Sequence, residues 1–487
     1  MILAIDIGSS SVRGVLFDRT GAQVLGAESR HAHRFTVSPD GRVEADADRL
    51  FDLVVRCIDE ATAKSAGSAV DGVAFCTFWH SVLGVSRRGH ALTPVLTWAD
   101  SRGADAADRL RGMVDPDASH QRTGCRFHPS YLPAKLLWLK ENQPALFREA
   151  DWWCSIGEYC LHRIFGRKVC SLSMASGTGL FDRRSLRWDG ELLGALGVEE
   201  SRLSPLGDME SPLGEPAKRF ADRWPGLRGV PWFPALADGA CSNIGSGCAG
   251  PSRAAVMVGT TGAMRVVREA GPVRIPRGLW CYLVDRRRTL VGGALGDGGN
   301  LYEWMSAALD LGIAGDALDA ALLTAQPAGH GLTVLPFLTG ERSPGWNPRA
   351  RGAVLGLGLR TRPLDILQAG MEAVAYRFAA VSRLLAGAAP GIRELVGTGA
   401  ALLQSGAWPQ MIADVLGLPV TLAGTSEASS RGAALLALEA LGLIPGIDEA
   451  EPLRGRTFSP RRQFAEAHRA AAQEQERLYA AVFGSPG

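Results

Sequence analysis

Ile2-Leu3-Ala4-Ile5-Asp6-Ile7-Gly8-Ser9-Ser10-Ser11-Val12-Arg13-Gly14-Val15-Leu16-Phe17-Asp18 opens the chain, and Ala254-Ala255-Val256-Met257-Val258-Gly259-Thr260-Thr261-Gly262-Ala263-Met264-Arg265-Val266-Val267 repeats its design near the middle. Each run is an apolar strand, a tight turn of glycine and hydroxyl residues, and a returning strand. Such a turn aims backbone N–H groups and hydroxyls at one point, which makes a cradle for phosphate. Two cradles in two halves predict two duplicated domains that grip one polyphosphate from both sides.

The bulk properties agree with an enzyme of that kind. A chain of 487 residues holds more than one domain, and two is the first expectation. An apolar fraction of 46% with 21% charged residues belongs to a globular protein, and a net charge of +2 offers no electrostatic reason to bind nucleic acid or an anionic membrane. The nine cysteines are scattered, odd in number and without a C-x-x-C pair, so they read as small core residues in a reducing cytoplasm. Asp6 interrupts the first apolar run, which argues against a signal peptide, and no stretch approaches the ~20 apolar residues of a membrane span.

Between the two hairpins the chain alternates strands and helices, which predicts an α/β first domain. Leu50, Leu53, Val54, Cys57, Ile58 and Ala61 follow the spacing of an amphipathic helix, capped by Asp46 or Asp48. Strands at 72–77 and 95–98 deliver the clusters Phe78-Trp79-His80-Ser81 and Trp98-Ala99-Asp100-Ser101-Arg102 to their ends, and a helix spans 133–143. Pro205 to Pro234 is rich in Pro, Gly and charge and reads as a surface connection. A boundary in 245–252 gives domains of 1–248 and 249–487. The second half holds strands at 254–267 and 279–294, a long helix from Pro363, helices near 408–417 and 431–442, and a charged surface helix at 465–483.

Four places could do chemistry. Asp6, beside the first turn, suits Mg²⁺ held through water, since that ion sheds its hydration reluctantly; a turn-stabilising aspartate is the alternative. Asp238, between Ala237 and Gly239, could accept the proton of an alcohol during phosphoryl transfer; a helix N-cap is the alternative. The run Gly340-Glu341-Arg342-Ser343-Pro344-Gly345-Trp346-Asn347-Pro348-Arg349-Ala350-Arg351-Gly352 is a turn-rich loop of the kind that carries function. Gly397-Thr398-Gly399-Ala400 before a helix could cradle a nucleotide.

Taken in order over roughly residues 2 to 440, these segments resemble the FGGY family of carbohydrate kinases, in the actin-like ATPase superfamily. Asp6-Ile7-Gly8-Ser9-Ser10-Ser11 is similar to the first phosphate motif and Gly259-Thr260-Thr261-Gly262 to the second. Asp238-Gly239 matches the catalytic base, and the 340–352 loop resembles the C-terminal signature. Gly399-Ala400-Ala401-Leu402 with Ser405 resembles the adenosine motif, with Ala400 where a second Gly is usual. Within the family, Thr97 to Arg102, Ala134 to Asn142 and Ser173 to Phe181 look most like gluconate kinases, and xylulokinases share much of the pattern. Trp79-His80 stands where the family has a Met-His substrate pair.

The resemblance implies an α/β fold of two actin-like (ribonuclease H-like) domains flanking a cleft: an N-terminal sugar-binding and catalytic domain, and a C-terminal nucleotide-binding domain with a helical tail. It places ATP phosphates on Gly8, Ser9, Ser10, Gly259, Thr260 and Thr261 with Arg13 nearby, and adenosine against Gly299, Gly399, Ala400 and Ser405. It places Mg²⁺ on the phosphates near Asp6 and Asp238, held to both through water. The sugar pocket comprises Trp79, His80, Trp98, Asp100, Arg102 and Asp238, with Arg102 pairing a substrate carboxylate; a salt bridge from Arg102 to an acid is the alternative. The expected partners are ATP and a small carbohydrate or sugar acid such as gluconate, with no nucleic acid and no membrane; a homodimer is left open. A xylulokinase-like ketose or polyol kinase is the competing activity, and a non-catalytic regulator on the same scaffold the competing class.

Overall fold

In the computed structural model, described for residues 1–64, 69–450 and 452–484, two sheets repeat one topology. The first has the order Leu236–Ala237, Gly72–Thr77, Ile2–Ile7, Ser11–Phe17, Ser29–Ala32. Its last three strands form an antiparallel meander, and the first two join in parallel. The second sheet reproduces this with Val420–Ala423, Glu394–Thr398, Arg253–Val258, Gly262–Glu269 and Arg288–Leu295, and adds Arg454–Phe458 and Trp280–Asp285 at its two edges. The hairpin echo in the sequence is thus the visible part of a repeat of five strands.

The central strands are apolar because both their faces are covered. Ile2–Ile7 is buried along its whole length. On one face lies the helix Ala47–Lys64, which buries Leu50, Phe51, Val54, Cys57, Ile58 and Ala61 and whose first turn is capped by the Asp46 carboxylate, 2.9 Å from the Arg49 N–H. On the other lies Ala428–Ala440, a helix from the second half of the chain. It crosses the helix Asp238–Gly245 so closely that a Cβ on Gly432 would sit 1.8 Å from the Cys241 carbonyl, and one on Gly245 1.9 Å from that of Ala428. Ala433 to Leu438 therefore belong to the core of the first sheet. Only glycine permits this approach, and it fixes the 238–245 helix, through Cys241 and Gly245, against the second half of the molecule.

Two stretches differ from the sequence expectation. The segment from Pro205 to Pro234 is no mere surface connection: Phe220, Trp224, Leu227 and Trp232 are buried, with Trp232 stacked on Phe75 and Trp224 at ring-centroid distances of 5.9 and 5.7 Å. Its prolines and glycines mark turns between aromatic anchors that each bury a large apolar area. The terminal helix Ala465–Phe483 buries His468, Ala472, Gln475, Leu478 and Tyr479, so one face of it is core. All nine cysteines are buried and unpaired. Among the described residues no helix is long and apolar enough to cross a membrane.

Candidate active site

Each glycine turn closes on a hydrogen bond from its glycine N–H to a backbone carbonyl just downstream. The Gly8 N–H donates to the Ser11 carbonyl and the Gly259 N–H to that of Thr261, each at 3.0 Å. Ser9, Ser10 and Thr260 are exposed at the turn tips, free to meet a ligand. The ring Nε2 of His33 lies 2.9 Å from the Gly8 carbonyl and holds the first turn in place. Arg13 is committed elsewhere, to the Glu427 carboxylate at 3.1 Å and the Ser11 hydroxyl at 3.1 Å, with Asp6 at 3.7 Å. It braces the cradle from behind.

Three glycine backbones meet beside the second turn. The Gly299 N–H donates to the Gly259 carbonyl at 2.7 Å, and a Cβ on Gly299 would lie 2.5 Å from that oxygen. Gly399 has φ +88° and would place a Cβ 2.4 Å from the Val258 carbonyl, so both conformation and space require glycine there. Ala400 begins the short helix Ala400–Leu403, is exposed, and has no positive φ, so its methyl group costs nothing at this position. Ser405 is engaged: its hydroxyl donates to Asp319 at 2.7 Å and accepts from the Trp408 N–H at 3.1 Å, starting the helix Ala407–Leu416.

Asp6 and Asp238 stand at the C-terminal ends of parallel strands of the first sheet and face the same cleft. Asp238 is the first residue of its helix, with Ala237 at the cap, so it is not an N-cap; it accepts from the Gly239 N–H at 2.7 Å. Burial raises its pKa to about 6 against the opposing pull of the Arg265 cation. Asp6 is more extreme. Burial raises its pKa to about 7, Arg13 pulls it down, and the Asp238 charge pushes it up again. Its Oδ1 is buried without a hydrogen-bond partner. A buried, unpaired carboxylate oxygen beside a second carboxylate fits a cation. A pair of carboxylates suits Mg²⁺, an ion that keeps waters and takes one or two carboxylates with substrate phosphates.

A cavity of about 330 Å³ opens beside Asp238, lined by Ser9, Trp79, His80, Trp98, Thr261, Arg265, Trp280, Tyr282, Arg342 and Ser429 among others. Trp79 sits in a notch cut by two glycines: a Cβ on Gly177 or Gly239 would come within 2.4 or 2.7 Å of its ring. Its Nε1 donates to the Ser173 carbonyl at 3.1 Å, and Tyr282 meets it edge-on at 4.8 Å. His80 occupies the left-handed region at φ 63°, a strained conformation that aims its ring. Its Nδ1 lies 2.6 Å from the Gly177 carbonyl and therefore carries the proton. Burial holds the imidazole pKa well below its usual value, so the ring is neutral and Nε2 is an acceptor. Lys135, fully buried, donates to the His80 carbonyl at 2.5 Å, and burial lowers its pKa to about 7.

The structure thus gathers Trp79, His80, Trp98 and Asp238 around one cavity, and leaves Asp100 and Arg102 out of its lining. Arg102 is buried between the carboxylates of Asp100, at 2.7 Å, and Glu44, and stacks on Trp138 at 4.5 Å. Its donors are spent inside the protein, so the salt-bridge alternative for Arg102 is the one observed. Sequence reasoning missed Arg265, Trp280, Tyr282 and Arg342 as cavity residues. The signals were an arginine three residues after the second phosphate turn and another inside the 340–352 loop.

Two family models match: the N-terminal domain of the FGGY family of carbohydrate kinases over residues 1–245 and its C-terminal domain over 254–441. A gluconokinase of Bacillus subtilis is 28% identical over 471 residues, covering 94% of this chain and 91% of that protein. A xylulose kinase of Klebsiella pneumoniae is 28% identical over 451 residues, covering 90% and 89%. The crystal structure of a gluconate kinase from Lactobacillus acidophilus superposes with a TM-score of 0.91 at 25% identity, covering 100% of this chain and 99% of that one. With both domain models matched in order across two actin-like halves, this chain belongs to the FGGY family of carbohydrate kinases and is an ATP-dependent sugar phosphotransferase.

Proposed function

We propose that the protein phosphorylates a primary hydroxyl of a small sugar acid of the gluconate type, with Asp238 as general base. The observation that carries this reading is the cavity beside Asp238: an aromatic wall, a neutral histidine acceptor, and Arg342, a cation with no ion-pair partner among the described residues. An anionic substrate suits such a lining better than a neutral one. The similarity to gluconokinases supports the same choice.

In this mechanism the aromatic wall and His80 Nε2 orient the sugar, and Asp238 in its ionised form accepts the hydroxyl proton. The freed oxygen forms a bond to the γ-phosphorus as the bond from that phosphorus to the β,γ-bridging oxygen breaks. The phosphorylated sugar and ADP leave, and Asp238 returns its proton to solvent. Ser9, Ser10, Thr260 and Thr261 would present donors to the polyphosphate. Asp6 and Asp238 would hold Mg²⁺, whose charge offsets that of the phosphates. Because the transition state of phosphoryl transfer is loose, positioning and charge stabilisation supply most of the acceleration.

The test is ADP release with Mg·ATP across gluconate, other sugar acids, xylulose, other ketoses and polyols. Turnover concentrated on sugar acids supports the reading. Turnover on xylulose with none on any acid replaces it by the ketose kinase that the xylulose kinase relatives suggest.

A further inference from the structure

The cavity has two ends, and they carry different arginines. Arg265 lies at the reacting end: its guanidinium donates to the Gly239 carbonyl at 3.1 Å, and its charge acts on Asp238. Arg342 lies at the other end. Its charge falls on His80, His128, Tyr131 and Tyr282. Its Nε is buried without a partner, and no carboxylate among the described residues pairs with it.

Arg342 is also held firmly. The residue before it, Glu341, buries its carboxylate against Arg377, the Tyr479 hydroxyl at 2.5 Å and the Gly345 N–H at 3.1 Å. The residue after it, Ser343, exchanges two hydrogen bonds with the backbone of Ala294: its N–H donates to the carbonyl at 2.8 Å, and its hydroxyl accepts from the N–H at 3.1 Å. The loop clamps the backbone on both sides of a guanidinium that has no charge partner of its own. A cation fixed in this way, part-buried and unneutralised, is a poor stabiliser of the fold and a good receptor for an anion.

Resting on the sugar-acid reading above, we propose that Arg342 binds the substrate carboxylate and thereby sets its direction in the cleft, acid group toward the 340–345 loop and terminal hydroxyl toward Asp238. Arg342 is then a specificity-determining residue, remote from the transferring phosphoryl group. Its contact is made equally in ground and transition states, so its loss should appear in KM more than in kcat.

The test compares wild type, Arg342→Gln and Arg342→Lys on gluconate and on xylulose, with melting temperature and Mg·ATP affinity as checks of folding. Loss of a charge-assisted contact predicts a fall in kcat/KM on gluconate of roughly 10- to 150-fold, mainly in KM. The fall on xylulose should be at least tenfold smaller, and Lys should restore part of the loss on gluconate. Equal losses on the two substrates, or an unchanged KM for gluconate in a folded Arg342→Gln variant, overturn the assignment while leaving the sugar-acid reading in place. A wild type that phosphorylates xylulose and no sugar acid overturns both.

Discussion

Asp6→Asn should make the metal-free protein more stable at pH 8 while impairing it as an enzyme. The Asp6 carboxyl is 3% exposed, with its pKa raised from 3.8 to about 7 mainly by burial. Between those values the folded protein keeps the proton and the unfolded chain loses it, so the unfolded state binds fewer protons. The contribution of Asp6 is fully present below pH 3.8 and is lost as pH rises to about 7. At about 1.4 kcal/mol per unit, that loss is on the order of 4 kcal/mol. Asn preserves the shape and removes the titration. The stability of Asp6→Asn relative to wild type should therefore increase by about 3 kcal/mol from pH 4.5 to pH 8. For a unit of this size that is roughly 6–12 °C in melting temperature. Differential scanning calorimetry in EDTA at the two pH values reads the change, and Mg·ATP should narrow the gap at pH 8 by stabilising only the wild type strongly. A difference that is the same at both pH values would refute the account of Asp6 as an acid whose burial outweighs the pull of Arg13.

Three other outcomes follow from the same site. The pH profile of kcat/KM should fall tenfold per unit on its acid side below about pH 6, where Asp238 takes up a proton; Arg265→Gln, removing the cation that lowers that pKa, should move this limb to higher pH. Gly239→Ala would force a methyl group to within 2.6 Å of the Arg265 guanidinium and 2.7 Å of the Trp79 ring. It should cut kcat/KM by about 100-fold through misplacement, with a stability loss of about 1–3 kcal/mol by denaturant titration. Arg102→Ala should destabilise the protein by about 3–5 kcal/mol by the same titration, because it strands the buried Asp100 carboxylate; residual turnover should be reduced alike on acids and ketoses.

Much of the fold was legible because it is written in local patterns. The strand, glycine turn and strand at 2–17 and 254–267 marks the start of each half, and the 3.6-residue period of 50–61 marks the helix that covers the first sheet. Asp238 could be singled out from its place between alanine and glycine, although helix cap and base were not separable without seeing Ala237 take the cap position. The rest depended on what the opposite half brings. Arg265 is a lone charge in a strand that is otherwise apolar as far as Val267, and only the fold shows its guanidinium turned to the Gly239 carbonyl. Arg102 has the sequence context of a sugar-pocket residue, and only the fold shows that Glu44 arrives to neutralise it. Arg342 could not be told from the other arginines of its loop until Glu341 and Ser343 were seen to be anchored on either side.

The central claim, that Asp238 drives phosphoryl transfer to a sugar acid, is tested most directly by phosphorus-31 NMR of gluconate with Mg·ATP, run with wild type and with Asp238→Asn at matched ATP occupancy. The account predicts a phosphomonoester at the terminal carbon with wild type and none with the variant on the same timescale. A phosphomonoester formed at a similar rate by Asp238→Asn, or ATP left intact by wild type with every sugar acid, would contradict it.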